Sequence, residues 1–459
     1  MRRTVVLNVV GLTRGLLPSM PRLAAFAREG YATTIRPAFP AVTCTAQSSY
    51  LTGLTPAEHG IVGNGWYDRD LAEIHFWKQS NHLVRGEKLW DKLRARDPSF
   101  TCAQLFWWYN MHAAVDWSIT PRPLYPADGR KIFDIHTGPL TLRPEIKKDL
   151  GEFPFPSFWG PAAGIESSSW IAAAARWIEE KHQPTLNLVY LPHLDYNLQR
   201  LGPRDPKIGD DLRLIDDIAG ELIDFFHARD VQVAVLSEYG ITEVDAPVHL
   251  NRVLRRHGWL SIKDELGLET LDCGSSRAFA VADHQVAHIY LNDPAIESQV
   301  RAAIEAEPGV ERVLDAAAQK ELGMRHARAG DLIAIAKPRS WFTYYYWLDD
   351  VVAPDFARTI DIHRKAGYDP AELFLDPKLR WPKLRIAAFL LRKKLGLRGL
   401  LNVIPLDATL VRGSHGRIPE DENDWPVLLL EKNAAPSSSG PITPADVHAT
   451  LLRLVDPPA

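Results

Sequence analysis

The sequence has few cysteines, little net charge and no long apolar run. Its three cysteines, Cys44, Cys102 and Cys273, are spread over 459 residues. They are too far apart for a disulfide framework or a thiolate metal site, so we expect a reducing, cytoplasmic location. The formal net charge of -4 argues against nucleic acid as a general partner, because domains that bind it are clearly basic. No segment approaches the ~20 apolar residues that a membrane-spanning helix needs.

The amino-terminal sequence MRRTVVLNVVGL joins a basic pair to a short apolar run, as a signal peptide does. Asn8 interrupts this run, and no small-residue cleavage site follows before Arg14. We therefore interpret residues 4–10 as a first buried strand rather than a targeting segment.

Helices and near-continuous apolar strands alternate in the middle of the chain. The pattern predicts helices at 167–182 and 211–229, which are followed by strands at 185–191 and 231–236. This alternation is typical of an α/β fold in which helices cover both faces of a parallel sheet. The Pro- and Gly-rich span 121–161 is predicted to be irregular surface structure.

A run of hydroxyl residues lies between two prolines and a helix predicted at 45–51. Thr43 or Thr45 is then at or next to a helix N-terminus, where free N–H groups and the helix dipole favour an anion. Two interpretations are open. The threonine simply caps the helix, or a metal lowers the pKa of its hydroxyl so that the oxygen attacks phosphorus.

Acidic residues follow two of the predicted strands. Asp195 comes after the strand at 185–191, and Glu238 after the strand at 231–236. Ligands of open α/β sheets collect beyond the carboxyl ends of the strands, so we expect both acids there together with Thr43. His415, in a Gly-Ser-His-Gly segment, adds an imidazole. Such ligands suit Zn, Mn or Fe; the alternative is that the acids cap helices.

Four segments resemble the alkaline phosphatase superfamily, in its type I phosphodiesterase/nucleotide pyrophosphatase and phosphonoacetate hydrolase branch. They occur in the family's order and are FPAVTCTAQSSYLTGLTPAEHGIVGN, LDYNLQRLGP, LSEYGI and GSHGRIPEDENDWPVLLL. The resemblance implies a mostly parallel sheet with helices on both faces and a smaller cap or insert region. We divide the chain into five parts. They are core at 1–250, cap at 251–350, an active-site loop at 351–376, a basic insert at 377–406 and core at 407–459.

The resemblance also implies roles for single residues. Thr43 matches the attacking threonine, and Asn64 matches the asparagine that holds a phosphoryl oxygen. Asp195 and His415 match metal ligands of the family. The chain departs from the pattern elsewhere: Val10 replaces an aspartate, Gln199 a histidine, and Glu238-Tyr239 an Asp-His pair. We expect Glu238 and Gln199 to serve as substitute metal ligands.

Other residues have the chemistry to rebuild the depleted second metal site. Asp361 and His363 are two residues apart, so they share a side of an extended backbone. The alternative is that His363 is a surface or hydrogen-bonded histidine. Arg364 and Lys365 are candidates to bind a second phosphate. The remaining predicted substrate contacts are Trp108, Tyr239 and His284.

The segment 377–406 carries eight basic residues and no acidic residue, with apolar residues at helical spacing. One interpretation is a basic amphipathic helix that lies on an anionic membrane surface. The other is a helix docked on the protein with its charges in water.

Together, the resemblance implies a metal-dependent hydrolase of phosphodiester, pyrophosphate or phosphonate bonds in a small molecule. Thr43 is the expected nucleophile and zinc the expected ion, with manganese or iron as alternatives. Two other functions stay open because of the substituted ligands. One is an altered or inactive family member that binds a phosphorylated or lipid-like ligand, and the other is a phosphoryl transferase.

Overall fold

The structure is a computed structural model that describes residues 1–434 and 440–457. Residues 435–439 and 458–459 belong to the segment 407–459, predicted as core, and lie outside the described residues. Within the described residues, no helix is long and apolar enough to cross a membrane.

The described residues form strands from one end of the chain to the other. The strands are β1 (Thr4–Val9), β2 (Tyr31–Thr34), β3 (Gly65–Asp68), β4 (Glu73–Phe76), β5 (Cys102–Leu105), β6 (Trp117–Pro121), β7 (Ile135–Gly138), β8 (Leu186–Leu191), β9 (Gln232–Leu236), β10 (Thr242–Glu243), β11 (Ala246–Val248), β12 (Ser261–Glu265), β13 (Leu268–Asp272), β14 (Ala278–Asp283), β15 (Val286–Leu291), β16 (Val310–Leu314), β17 (Leu332–Ala336), β18 (Ser340–Phe342), β19 (Gly413–Ser414) and β20 (Val427–Leu430).

Helices connect most of these strands. The α-helices are α1 (Pro21–Glu29), α2 (Thr43–Thr52), α3 (Pro56–His59), α4 (Leu89–Arg96), α5 (Leu142–Leu150), α6 (Ile165–His182), α7 (His193–Leu201), α8 (Ile208–His227), α9 (Leu250–Arg256), α10 (Glu297–Glu305), α11 (Ala316–Glu321), α12 (Pro382–Lys394) and α13 (Pro444–Val455).

An eight-stranded sheet in the order β2-β20-β9-β1-β8-β5-β6-β7 forms the centre of the fold. Its five middle strands, from β9 to β6, run parallel, and the outer strands β20, β2 and β7 are antiparallel to their neighbours. Every residue of β1, β8 and β9 is buried, so both faces of the sheet are covered. The predicted α/β fold is confirmed.

The register of the middle strands places their carboxyl ends at one level. Asn8 in β1 lies opposite Tyr190 in β8 and Leu236 in β9. Helix α7 begins two residues after the end of β8, and Glu238 comes two residues after the end of β9. The residues that follow these strands therefore meet at one edge of the sheet.

A second, antiparallel sheet in the order β14-β15-β17-β16 lies within the segment predicted as cap. It has its own apolar cluster, which includes the buried aromatic run from Trp341 to Trp347. The turn between β14 and β15 carries Asp283 and His284, and the backbone N–H of Gln285 donates to the carbonyl of His415. This turn thus contacts the carboxyl edge of the central sheet.

Two parts of the chain differ from the sequence-based expectation. The span 121–161, predicted to be irregular, contains β7 and α5. Leu142 and Ile146 of α5 are buried one turn apart. Two apolar residues at helical spacing are a weak signal in a segment with many prolines and glycines. The segment after β8, expected only as a strand end, forms helix α7.

Candidate active site

Thr43 is the first residue of α2, but its hydroxyl does not cap the helix. The N-cap is Val42, in an extended conformation and without a side-chain hydrogen bond. The Thr43 Oγ1 lies 3.1 Å from the phenol oxygen of Tyr239 instead. Thr45, the other candidate, donates its hydroxyl to the carbonyl of Ile61 at 3.2 Å. Of the two threonines, Thr43 is therefore the one that faces the acidic residues.

Asp195 is linked to Thr43 through Tyr239. The Tyr239 hydroxyl donates to Asp195 Oδ1 at 3.1 Å, so Thr43 can donate its own proton to the phenol oxygen. Asp195 Oδ2 accepts from the side-chain amide of Gln199 at 2.8 Å. Helix α7 places these two residues one turn apart and on the same face. The result is a continuous hydrogen-bonded path from Thr43 to a buried carboxyl.

Glu238 is held by two side-chain amides. Asn8 Nδ2 donates to Glu238 Oε1 at 2.6 Å, and Gln47 Nε2 donates to the same oxygen at 2.5 Å. Asn8 belongs to β1 and Gln47 to α2, one turn after Thr43. This carboxyl thus joins the central strand, the end of β9 and the helix that carries Thr43.

Four rings lie in a row beside this network. Tyr239 lies flat on His415 with ring centroids 3.7 Å apart, His415 lies 3.7 Å from His284, and His284 lies 3.6 Å from Tyr368. His415 Nδ1 lies 2.7 Å from the Ala41 carbonyl, which leaves Nε2 facing Asp195 Oδ1 at 3.9 Å. Burial lowers the pKa of both histidines well below the usual value, so both imidazoles are neutral at pH 7.

Asn64 is fixed beside the start of α2. Its Oδ1 accepts the backbone N–H of Cys44 at 3.0 Å, and its side-chain amide donates to Asp283 Oδ1 at 3.1 Å. The Asn64 backbone N–H donates to the other Asp283 oxygen at 2.8 Å. Asn64 is thus held against Cys44, the residue after Thr43. Asp283 orients the Asn64 side chain.

Burial raises the pKa of both site carboxyls toward neutrality. The pKa of Asp195 rises to about 7, against the hydrogen bonds from Tyr239 and Gln199, which lower it. The pKa of Glu238 rises to about 8, against the hydrogen bonds from Gln47 and Asn8. A carboxyl in an apolar interior binds its proton more tightly because the charged form loses its hydration. Both groups therefore exchange protons near physiological pH.

The donor set does not fit the two-metal centre that the resemblance implies. Within residues 1–434 and 440–457, no three His, Cys, Asp or Glu side chains converge as metal ligands. Asp195 Oδ1 and His415 Nε2 lie 3.9 Å apart, whereas a catalytic zinc takes three protein ligands. The N–H and O–H groups of Asn8, Gln47, Gln199 and Tyr239 point at the carboxylate oxygens that would hold an ion. Hydrogen bonds therefore occupy both oxygens of Asp195 and one oxygen, Oε1, of Glu238.

The candidates of the loop at 351–376 are not part of this cluster. Lys365 is buried and ion-paired with Asp369 and Glu372, at 2.6 and 2.7 Å, so its ammonium is not available for a second phosphate. Arg364 is exposed, and its guanidinium lies 3.5 Å from Asp355. The prediction that Lys365 binds a second phosphate is therefore corrected: its buried ammonium pairs with two carboxylates of the protein.

The Asp361–His363 pair does not add ligands to the Thr43 site. His363 Nδ1 lies 3.3 Å from the carbonyl of Phe76, and the Asp361 backbone N–H donates to Glu372. Trp108 is closer to the site: its backbone N–H donates to Gln47 Oε1 at 2.7 Å. Its ring lies 4.8 Å from that of Trp77.

The sequence-based prediction missed Asn8, Gln47 and Tyr368 of the site. Asn8 was visible only as a polar interruption of an apolar strand, which was a usable signal for a buried polar contact. Gln47 lies four residues after Thr43, and this spacing puts both on one helix face. Tyr368, whose hydroxyl donates to Gln199 Oε1 at 3.0 Å, gave no signal, because its contact depends on the path of a long loop.

The central, mostly parallel sheet with helix α2 at its carboxyl edge defines an α/β protein. The profile of the type I phosphodiesterase/nucleotide pyrophosphatase family matches residues 4–369, so the chain belongs to this family of phosphoester hydrolases. A comparison with curated protein sequences finds no match.

Solved structures of two kinds share the fold. Murine ectonucleotide pyrophosphatase/phosphodiesterase 5, as an inactive variant in complex with AMP, is similar with a TM-score of 0.60 and 14% identity, over 99% of this chain and 95% of that one. Phosphonoacetate hydrolase from Sinorhizobium meliloti 1021, in complex with phosphonoformate, has a TM-score of 0.60 and 13% identity, over 99% and 96%. At these identities the likeness concerns the fold.

The raised pKa of Glu238 predicts a pH-dependent stability. Between its ordinary value of 4.5 and about 8, the unfolded chain carries the charge while the folded protein keeps the proton. Stability is thus lost as pH rises through this interval. Glu238→Gln keeps the oxygen that accepts from Asn8 and Gln47. We expect it to increase the free energy of unfolding by about 2–4 kcal/mol at pH 8 and much less at pH 5.

Urea denaturation at the two pH values measures this difference. The matched control is Glu321→Gln, at an exposed helix end, which should give the same free energy of unfolding as the unmodified protein at both pH values. A loss of stability in Glu238→Gln at pH 8 would show that the folded protein holds Glu238 in its charged form.

The donor set also predicts that metal ions do not change the stability of the folded protein. A bound ion stabilises the folded protein, by about 2.7 kcal/mol at a hundredfold excess over the dissociation constant. We expect chelation, or addition of Zn²⁺ or Mn²⁺ at micromolar levels, to leave the Tm unchanged, with Mg²⁺ at equal ionic strength as the control. A Tm increase that Asp195→Asn abolishes would contradict this expectation.

Proposed function

We propose that the protein hydrolyses esters of phosphorus in small molecules, with Thr43 as the nucleophile and Asp195 as the base that receives its proton through Tyr239. The observation that carries the proposal is the path of two 3.1 Å contacts, from Thr43 Oγ1 to the Tyr239 hydroxyl and from there to Asp195 Oδ1. A hydroxyl needs an adjacent base to become a nucleophile, and this path supplies one.

The reaction has two steps. In the first, the bond from Thr43 Oγ1 to phosphorus forms, the bond to the leaving oxygen breaks, and the threonine proton passes through Tyr239 to Asp195. In the second, water attacks phosphorus and the bond to Oγ1 breaks. The proton then returns from Asp195 to Oγ1 by the same path, and the proton lost by the water neutralises the leaving group. Asn64 and the N-terminus of α2 stabilise the charged phosphoryl oxygens.

A singly charged diester suits the site better than a doubly charged monoester. His284 and His415 are kept neutral by burial, and Lys365 is committed to two carboxylates. The N-terminus of α2 is then the electropositive group next to Thr43, and it favours an anion by about 0.3–1 kcal/mol. Phosphodiesters and phosphonate monoesters are therefore the substrate classes that we propose.

Zinc does not enter this proposal, because hydrogen bonds occupy both Asp195 oxygens and, within residues 1–434 and 440–457, no three possible ligands converge. A reducing compartment such as the cytoplasm is the location that we propose, since Cys44, Cys102 and Cys273 are all unpaired and buried.

A second candidate function is binding without turnover. The observation that favours it is the replacement of metal ligands by amide and phenol groups around Asp195 and Glu238. Such a protein would hold a phosphorylated ligand at the N-terminus of α2 and release it unchanged.

Removal of the Thr43 hydroxyl separates the two functions. We expect Thr43→Ala to lower the hydrolysis of bis(p-nitrophenyl) phosphate by about 10³-fold or more, since no covalent intermediate forms. Thr45→Ala, in the same helix, is the matched control and should keep its activity. Rapid acid quenching followed by mass spectrometry should find a phosphoryl adduct on Thr43. Protein that binds the diester without releasing p-nitrophenol would support the binding function instead.

Removal of the phenol hydroxyl tests the proton path. Tyr239→Phe keeps the ring stacked on His415, so we expect an intact fold and a loss of kcat of about 10²–10⁴-fold. In the unmodified protein Asp195 acts only when ionised, and its pKa is about 7. Activity should thus rise with pH to a plateau above this value and lose that dependence in Tyr239→Phe. An unchanged profile in the variant would assign the base to another group.

A further inference from the structure

Helix α12 exposes an apolar stripe to solvent. Leu384, Ala388, Leu391 and Leu395 recur at intervals of four, three and four residues, which places them along one helix face. The three leucines are 65%, 60% and 68% exposed. Folded proteins in water rarely leave a continuous row of leucines uncovered, and such a surface marks an interaction site.

The opposite side of the same helix is fixed to the protein. Ile386 packs against an apolar cluster that contains Ala371, Val403 and Ile404. At ~100° per residue, Ile386 points away from the leucine stripe. The helix is therefore held by the face that carries Ile386, and the leucine stripe on the other face points into solvent.

Basic side chains border the stripe on both sides. Lys383 and Lys394 lie along one flank, and Arg385 and Arg392 along the other, at ~80–100° from the centre of the stripe. All four are exposed. The whole segment 377–406 has eight basic residues and no acidic one, so this surface is strongly cationic.

A neighbouring loop packs against the side of α12 that is opposite the leucine stripe. Lys393 Nζ donates to the carbonyl of Lys131 at 3.2 Å, and Arg398 donates to the carbonyl of Asp128 at 3.0 Å. Arg130 of this loop is ion-paired with Asp128, at 2.7 Å. The loop therefore holds α12 from behind and leaves the stripe and its flanking cations in solvent.

We propose that the exposed face of α12 forms a docking surface for an anionic lipid bilayer. A helix that lies in the membrane interface has two features. Its leucines enter the boundary of the acyl chains, and its flanking cations contact lipid phosphates. Trp381, 68% exposed immediately before α12, suits the headgroup level, where indole rings collect. Each basic residue near an anionic leaflet adds to this attraction.

A second copy of the chain fits this surface less well. Two such faces in contact would bring two sets of cations together around the leucines, and like charges repel at short distance. The bilayer satisfies both the apolar stripe and its cationic borders at once, so it is the occupant to which the proposal commits.

Vesicle co-sedimentation tests the docking surface in the full-length protein. We expect binding to vesicles of phosphatidylcholine with about 30% phosphatidylglycerol, and at least ~10-fold weaker binding to pure phosphatidylcholine. Raising NaCl from about 0.1 M to about 0.5 M should weaken the binding to anionic vesicles, since salt screens exposed charges. Equal binding to both vesicle types, or to neither, would overturn the proposal.

Two variants separate the contributions of leucines and charges. We expect Leu384→Ser combined with Leu391→Ser and Leu395→Ser to weaken binding by ~10-fold or more, since the acyl contacts are lost. Replacing the four flanking basic residues by Gln should weaken it on the order of 100-fold. The flanking residues are Lys383, Arg385, Arg392 and Lys394.

Matched controls remove exposed residues of the same types elsewhere, and should change binding by less than twofold. The leucine control replaces Leu71, Leu266 and Leu348 by Ser, and the charge control replaces Arg28, Lys148, Lys207 and Lys320 by Gln. Circular dichroism should show the same helix content in all variants. A lipid-free dimer that the α12 leucine variant dissociates would assign the surface to a second copy and overturn the proposal.

Discussion

The hydrogen bonds that Asn8 and Gln47 donate to Glu238 are the contact on which the rest of the site depends. They join β1, α2 and the end of β9, segments that are far apart in sequence. A buried carboxyl without such donors costs several kcal/mol, so the three segments have to meet in this arrangement. Because Gln47 is one turn from Thr43, the same contact sets where the Thr43 hydroxyl points, and with it the 3.1 Å approach to Tyr239.

The fold was accessible from the sequence because burial on both faces makes parallel strands continuously apolar. The strand predicted at 185–191 and the helix predicted at 211–229 correspond to β8 and α8 within a few residues. The convergence of Thr43, Asp195 and Glu238 followed from one topological rule about strand ends. Neither inference required knowledge of side-chain orientation.

The polar partners were not accessible in the same way. Whether Asn8 faces Glu238 depends on register between strands, and Tyr368 reaches Gln199 only through the path of a loop more than 160 residues further along the chain. Lys365 shows what the sequence does not reveal. Its position next to Arg364 suggested a phosphate site, but its ammonium forms ion pairs with two buried carboxylates. Sequence alone gives the type of a charged residue but not the charges around it. Those surrounding charges determine whether the side chain is solvated, binds a ligand or forms an ion pair.

The four donors around Asp195 and Glu238 also constrain how this chain could change in evolution. Changing Gln199→His alone would take a hydrogen bond from Asp195, and changing Asn8→Asp alone would place a second carboxyl against Glu238. Each single step leaves a buried acid poorly paired, at a cost that is a sizeable fraction of the total stability. Replacing these amides by metal ligands would therefore need several substitutions at once.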